Sequence, residues 1–383
     1  MNTHALYYED GNLARFSARV IDCFPRGEKF AVELDRTAFY PGGGGQACDT
    51  GFLGTAAVTE VWEQEDKILH LCEKPLEVGS IQEGVLDWAP RFSRMQHHTG
   101  EHMLSGAIHR RFGYHNVGFH MGNGNVTVDF DGVIPAEALP ELEREVNRQI
   151  WQDLPVKAWF PEPAELEQIP YRSKRALEGP VRVVQIPDSD SCACCGIHVA
   201  RTGQVGLIKI LSCVKFHQGV RLEICCGEAA MEALCAVWEQ NRQVSQAFSV
   251  PVWETGSAAA KMNEALANEK FRYTQLEKRL FRQISENYAG RGNVLLFEAG
   301  LTSVGVRELA ECVSALCGGF AAIFSGEEGA YSYCIAQPGG DVAPICDKMH
   351  QALGGKGGGK PAFRQGRIPA TEAAIRGFFA DFP

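Results

Sequence analysis

From residue 229 to 290 the chain is almost wholly helical in character, interrupted only near Pro251 and Gly256, and nothing else in it constrains the fold as strongly. At 383 residues the chain also exceeds one ordinary hydrophobic core, so two or three domains are expected. Within the helical stretch Met262, Leu266, Tyr273, Leu276, Leu280 and Ile284 recur at spacings of three, four or seven. That spacing predicts a long helix packing on a partner, either a second copy of the chain or an intrachain helical hairpin.

The segments on either side differ in kind. Residues 5–88 are β-rich, with "FAVELDRTAFY" and "AAVTEVW" separated by Gly-rich turns, and a small barrel or sandwich fits them. A helix is predicted to begin near "DWAPRF", with Asp87 as its cap and Pro90 in its first turn. Met95, His98, His102 and Ile108 fall near one face of it, and Gly113 is a plausible end. Residues 135–152 form an amphipathic helix, and "GLIKILSCV" and "GVRLEIC" form a hairpin through "KFHQ". The final ~95 residues alternate strand and helix and close with "GGKGGGKPAFRQGR", which reads as too flexible for core. The expected class is α+β, divided as 1–89 (a Gly-rich β-barrel domain), 90–227 (an α+β domain), 228–289 (a helical linker) and 290–383 (an α/β domain).

Composition excludes several classes of protein. A net charge of −10 argues against a surface coated for nucleic acid, although residues 261–282 and 354–383 are modestly basic. No apolar run approaches the ~18 residues that span a bilayer, and the N-terminus has no signal-peptide pattern, so a cytoplasmic protein is expected. Fourteen cysteines without an export signal read as reduced thiols or metal ligands rather than disulfides.

Three stretches carry chemistry. In "MQHHTGEHML", His98 and His102 lie one helical turn apart, so both imidazoles can reach one ion. The same residues spell H-x-x-E-H, a zinc-peptidase pattern with Glu101 as general base. In "SCACCGIH", Cys194 and His198 are again four apart, while Cys192 and Cys195 compete for the thiolate role. Together the two stretches supply a three-histidine, one-cysteine set suited to zinc. In "FYPGGGGQACDTG", four glycines let the backbone approach a ligand closely, with Gln46 next in line to donate and accept hydrogen bonds.

These stretches closely resemble the three signatures of the alanyl-tRNA editing domain. "VLDWAPRFSRMQHHTGEH" is similar to that domain's entry into its first zinc helix, and "GGKGGGKPAFRQGR" resembles the end of the DHH-associated RNA-binding domain. The resemblance covers nearly the whole chain as a freestanding editing protein of the long AlaX type, and no segment looks like an aminoacylation core. It departs from the commoner pattern at Glu101 and at "CCGIH".

The resemblance implies an ATP-independent hydrolase of translation fidelity that deacylates alanine tRNA mischarged with serine, and with glycine as a second substrate. A pocket rejects a hydroxyl or methylene by only ~10–200-fold, which is why a second, hydrolytic sieve is needed. It also implies one zinc per chain on His98, His102, Cys194 and His198, with Gly44, Gly45 and Gln46 beside the aminoacyl ester. Gln46 and Glu101 are the candidate catalytic residues. Lys356, Lys360, Arg364 and Arg367 are the candidate tRNA contacts, suited to phosphate. Partners are mischarged alanine tRNA and a second copy of the chain through the helical or C-terminal region, with no membrane. Two further readings stand beside this one: an H-x-x-E-H metallopeptidase, and a non-catalytic tRNA-binding protein stabilised by zinc.

Overall fold

The computed structural model describes residues 3–122, 125–173 and 179–382. The fold is mixed α+β, and the chain separates into two compact units, Met1–Gln243 and Val244–Pro383.

The first unit begins with six strands: β1 (Arg15–Arg26), β2 (Lys29–Leu34), β3 (Gly51–Leu53), β4 (Ala56–Gln64), β5 (Lys67–Cys72) and β6 (Ile81–Leu86). They hydrogen-bond in the closed order β1-β2-β5-β4-β3-β6. Alternating residues of β1, Phe16, Ala18 and Val20, face the interior while their neighbours are exposed, which is the period-two signature of a half-buried strand.

Helix α1 (Trp88–Phe112) follows, ended by Gly113 in a left-handed conformation whose N–H bonds the His109 carbonyl. Asp87 does precede this helix, but its side chain does not cap it. The carboxylate instead accepts from Thr50 Oγ1 at 2.5 Å, tying the helix start to the barrel. From Met95 to Ile108 every side chain of α1 is buried, so the helix runs through the unit rather than over it. Around it lie β7 (Asn116–Met121), β8 (Val126–Phe130) and α2 (Leu139–Trp151). Three short strands come next, β9 (Lys157–Trp159), β10 (Val183–Ile186) and β11 (Asp190–Ala193), and then β12 (Ile208–Phe216) and β13 (Gly219–Cys226). Strands β12-β13-β8-β7 form one sheet and β9-β10-β11 another. Leu142, Val146 and Ile150 of α2 are all buried, at about 1.5–3 kcal/mol for each such side chain. One apolar core runs from Val32, Leu34 and Phe39 of the barrel part to Met95, Leu104 and Ile108 of α1 and Val146 of α2.

Helix α3 (Gly227–Phe248) crosses the division between the units, and Ser249, at φ +54°, ends it before Pro251. In the second unit α4 (Thr255–Glu286) carries Gly256 without a break. It packs on α5 (Ser303–Cys317) through Phe281. The sheet there has the order β14-β15-β16-β18-β17, from β14 (Gly292–Phe297), β15 (Gly318–Glu327), β16 (Ala330–Ala336), β17 (Lys356–Lys360) and β18 (Phe363–Ile368). Helices α6 (Ala343–Leu353) and α7 (Glu372–Phe379) complete it. The Gly-rich end is therefore no loose tail: Lys356–Lys360 is a fully exposed edge strand, paired antiparallel with β18. Among the described residues no helix is long and apolar enough to cross a membrane.

Candidate metal centre

A helix buried along fourteen residues, Met95–Ile108, must find a partner for every polar side chain it carries. His98, Thr99, Glu101 and His102 are each no more than 2% exposed. Their partners define the site.

His98, His102, Cys194 and His198 converge, with ligand atoms all within 4.8 Å of one another. Cys194 Sγ lies 3.3 Å from His98 Nε2. Hydrogen bonding on the far side of each ring then decides which nitrogen faces this cluster. The Ile197 backbone N–H, which can only donate, reaches Gln46 Oε1 at 3.1 Å and so fixes the orientation of that amide. The same oxygen lies 2.9 Å from His98 Nδ1, so Nδ1 must be the donor. Thr99 Oγ1 donates to the Met95 carbonyl at 2.8 Å and accepts from Val199 N–H at 3.2 Å. With its proton spent, it accepts from His198 Nδ1 at 3.2 Å. His102 Nδ1 lies 3.3 Å from Asp190 Oδ2, and Asp190 is gripped bidentately by Arg172 at 2.8 and 2.7 Å. His98 and His198 thus hold Nδ1–H outward by hydrogen bonds and leave Nε2 for the cluster, while His102 turns Nδ1 to Asp190 at ion-pair distance, the arrangement that orients metal-binding imidazoles. Among the described residues the buried His198 Nε2 has no hydrogen-bond partner. Three imidazole nitrogens and a thiolate are the donor set zinc prefers, so the residues fit that ion.

Electrostatics favour the thiolate. Burial alone would push the Cys194 thiol up, but the surrounding His98, His102 and His198 imidazoles hold it well below its ordinary value. Burial would lower His102, and the hydrogen bond to Asp190 overcomes it and holds the ring well above the usual histidine range. Burial, reinforced by His98, keeps His198 well below that range.

The Gly-rich stretch closes the site from the barrel side. Gly44 and Gly45 take φ of +62° and +91°, and a Cβ on Gly45 would stand 2.5 Å from the Phe119 ring, which stacks on His98 at 5.1 Å. Gly196 is equally confined, since a Cβ there would come within 2.1 Å of His98 Cε1. Gln46 is 3% exposed, and its Nε2 is buried without a partner. Glu101 is buried as well: Oε1 accepts from Ser105 Oγ at 2.6 Å and from the Asn116 amide, and Oε2 lies 3.9 Å from His102 Nε2. Ile197 packs its side chain in the apolar core beside Gly11.

In the second unit the four expected tRNA contacts do not act as one group. The register pairs Lys356 with Arg367 and Lys360 with Phe363, so these cations share one face of the β17-β18 hairpin. Arg364 pairs with Gly359, points to the other face, and bonds Asp347 at 2.8 Å.

Asp190, Thr99 and Arg172 were missed in the sequence. Asp190 stands four residues before Cys194 and offered a weak signal. Thr99 and Arg172 offered none, because their roles depend on contacts formed only in the fold.

Fold and cluster together define a class, an α+β protein whose first unit encloses a metal-competent His/Cys centre against a Gly-Gly-Gln turn. Residues 181–223, which include Cys194 and His198, match the family model described as the Threonyl and Alanyl tRNA synthetase second additional domain. The alanine–tRNA ligase of Pyrococcus furiosus is 36% identical over 65% of this chain and 29% of that protein. Those of Thermococcus kodakarensis and Pyrobaculum neutrophilum are 33% and 31% identical, over 76% and 98% of this chain and 34% and 44% of theirs. The C-Ala domain of Aquifex aeolicus alanyl-tRNA synthetase overlaps 23% of the chain at 16% identity and a TM-score of 0.20, which carries no argument about the fold. The chain is thus similar to the alanine–tRNA ligases over nearly its whole length. It spans less than half the length of these relatives.

Proposed function

We propose that the chain is a trans-editing hydrolase that deacylates Ser-tRNA(Ala), with Gly-tRNA(Ala) as a second substrate, at a single zinc centre on His98, His102, Cys194 and His198. The observation that carries this reading is the convergence of three imidazoles and the Cys194 thiol within 4.8 Å, with His98 and His198 held by outer hydrogen bonds and His102 facing Asp190. Zinc, when bound there, supplies Lewis-acid polarisation and a fixed positive charge beside the ester. Gln46 has its oxygen committed to Ile197 and His98, which leaves the Nε2 protons to donate to the ester carbonyl oxygen. Gly44 and Gly45 let the backbone lie flat against the aminoacyl group. Water adds to the acyl carbon, the carbon–oxygen ester bond breaks, and a proton passes to the departing ribose oxygen. Comparing release of amino acid from Ser-, Gly- and Ala-charged alanine tRNA tests the reading, and equal hydrolysis of all three would refute selective editing.

Glu101 contributes by anchoring. Its carboxylate holds Ser105 and Asn116 beside the His102 ring, and this occupation counts against the peptidase alternative, in which it would serve as general base. Glu101→Gln is expected to keep most deacylase activity, whereas losing a general base costs about 10²–10⁴-fold. A rate measurement on that variant decides; a loss in the upper range would restore the general-base role.

Lys356, Lys360 and Arg367 form the phosphate-contacting face for alanine tRNA. Replacing each by alanine is expected to reduce the slope of log affinity against log salt by about one, while Arg364→Ala leaves it nearly unchanged. Filter binding over a salt series reads both. The partner of α4 in this reading is a second copy, because Met262, Leu266, Tyr273, Leu276 and Leu280 are each about half exposed. Sedimentation that stays monomeric at every concentration would remove it. The location proposed is the cytoplasm, where charged tRNA is found.

A further inference from the structure

We infer that Arg182 is a positioning residue: it clamps the Cys194–Gly196 turn so that Cys194, rather than Cys192 or Cys195, presents its thiol to His98, His102 and His198. The inference rests on the proposed metal centre and adds a residue to it.

Three cysteines in four residues pose a selection problem. Side chains of a strand alternate in direction, so Cys192 and Cys194 lean to the same face. Cys192 in fact reaches the vicinity of His102, with which it and Asp190 form a second group of potential ligands. Something beyond the strand must therefore place Cys194. The ladder between β10 and β11 ends with Val183 opposite Ala193, one residue short of Cys194. Arg182 extends it, since its carbonyl accepts the Cys194 N–H at 3.0 Å. Its guanidinium then returns to the same turn, and Nη1 donates to the Cys194 carbonyl at 3.1 Å and to the Gly196 carbonyl at 2.7 Å. Arg182 thereby holds the Cys194 peptide from both ends.

The clamp is itself fixed. Arg182 is 5% exposed, and its guanidinium lies over the Tyr8 ring at 4.8 Å, a cation–π contact that leaves the planar group little freedom. An apolar residue at 182 would leave the buried Gly196 carbonyl and the part-buried Cys194 carbonyl without this donor, and the turn would open to solvate them. Lysine carries charge and donors but lacks the planar guanidinium that lies over the Tyr8 ring and fixes the clamp.

The test uses the full chain with Arg182→Met and Arg182→Lys, read by competition titration of zinc against a chelator and by the thiolate-to-cobalt charge-transfer band of the cobalt-loaded protein. Arg182→Met is expected to weaken zinc binding about 10–100-fold, the usual effect of losing a group that orients a metal ligand, with partial recovery in Arg182→Lys. The cobalt band should weaken in parallel. In metal-free protein, alkylation followed by mass spectrometry should show Cys194 reacting faster in Arg182→Met than in the parent. Parental affinity and an unchanged band in Arg182→Met overturn the inference. A parent that binds no metal would sink the metal reading instead. The alkylation comparison then decides the clamp alone, and an unchanged Cys194 rate rejects it. Should Arg182→Met fail to fold, Arg182→Gln replaces it with the same outcomes.

Discussion

Cys194→Ser protein is expected to bind zinc more than ~100-fold more weakly than the parent, exceeding what loss of an outer orienting group costs, and to lose deacylation of Ser-tRNA(Ala) with it. The thiol is the one ligand in the cluster that can carry negative charge, and the imidazoles around it already favour its ionised form. A serine hydroxyl does not ionise there and is a poor zinc ligand. Cys195→Ser should be nearly silent, because that side chain is exposed and absent from the cluster. Cys192→Ser is the sharper control. If it abolishes binding while Cys194→Ser does not, the group His102, Asp190 and Cys192 is the metal site and the assignment is wrong. Equilibrium zinc titration of the three variants distinguishes these outcomes.

The second large effect concerns the join between α1 and the Gly-rich segment. Arg91 and Asp49 are 0% and 1% exposed and paired with each other. Arg91 also donates to the Ala38 carbonyl at 3.2 Å and the Gly11 carbonyl at 3.3 Å, while Asp49 accepts from the Tyr40 N–H at 2.7 Å. Burial pushes the Asp49 carboxyl up and the Arg91 guanidinium down, against the attraction each has for the other. Removing one partner strands the other charge in the interior, which costs about 3–5 kcal/mol. Arg91→Met or Asp49→Leu should therefore lower the unfolding midpoint by on the order of 10 °C for a unit of this size. The double variant should recover part of the loss, since neither charge of the pair is left behind, while the Ala38 and Gly11 carbonyls and the Tyr40 N–H still lose their partners. Thermal melts of the three proteins read this directly, and single variants as stable as the parent would contradict it. Asp49 lies three residues beyond Gln46, so the single variants should also loosen the turn that orients His98.

Several elements were legible because their signals are local. Pro90 and Gly113 bracket α1, the i, i+4 spacing put His98 and His102 on one face, and the apolar period of residues 139–150 marked α2. Cys194 and His198 were found in the same way. What escaped was long-range polar pairing. Nothing near Thr99, Arg172 or Arg91 in the chain foretells His198, Asp190 or Asp49 across the fold. Residues 356–360 were misread for another reason. A glycine-rich run has weak β preference, and it becomes a strand because β18 offers its free edge, so tertiary pairing overrides propensity. At Glu101 the local pattern could not show that the carboxylate is buried against Ser105 and Asn116, contacts that form only in the fold.

The central claim is that the buried cluster is a metal site serving ester hydrolysis. Metal content and deacylation of Ser-tRNA(Ala), measured together on the same protein through chelation and zinc return, test it most directly. The expected result is one zinc per chain, activity that falls as zinc leaves and recovers as zinc returns, and little hydrolysis of Ala-tRNA(Ala) throughout. Full hydrolysis of Ser-tRNA(Ala) by the metal-free protein would contradict it.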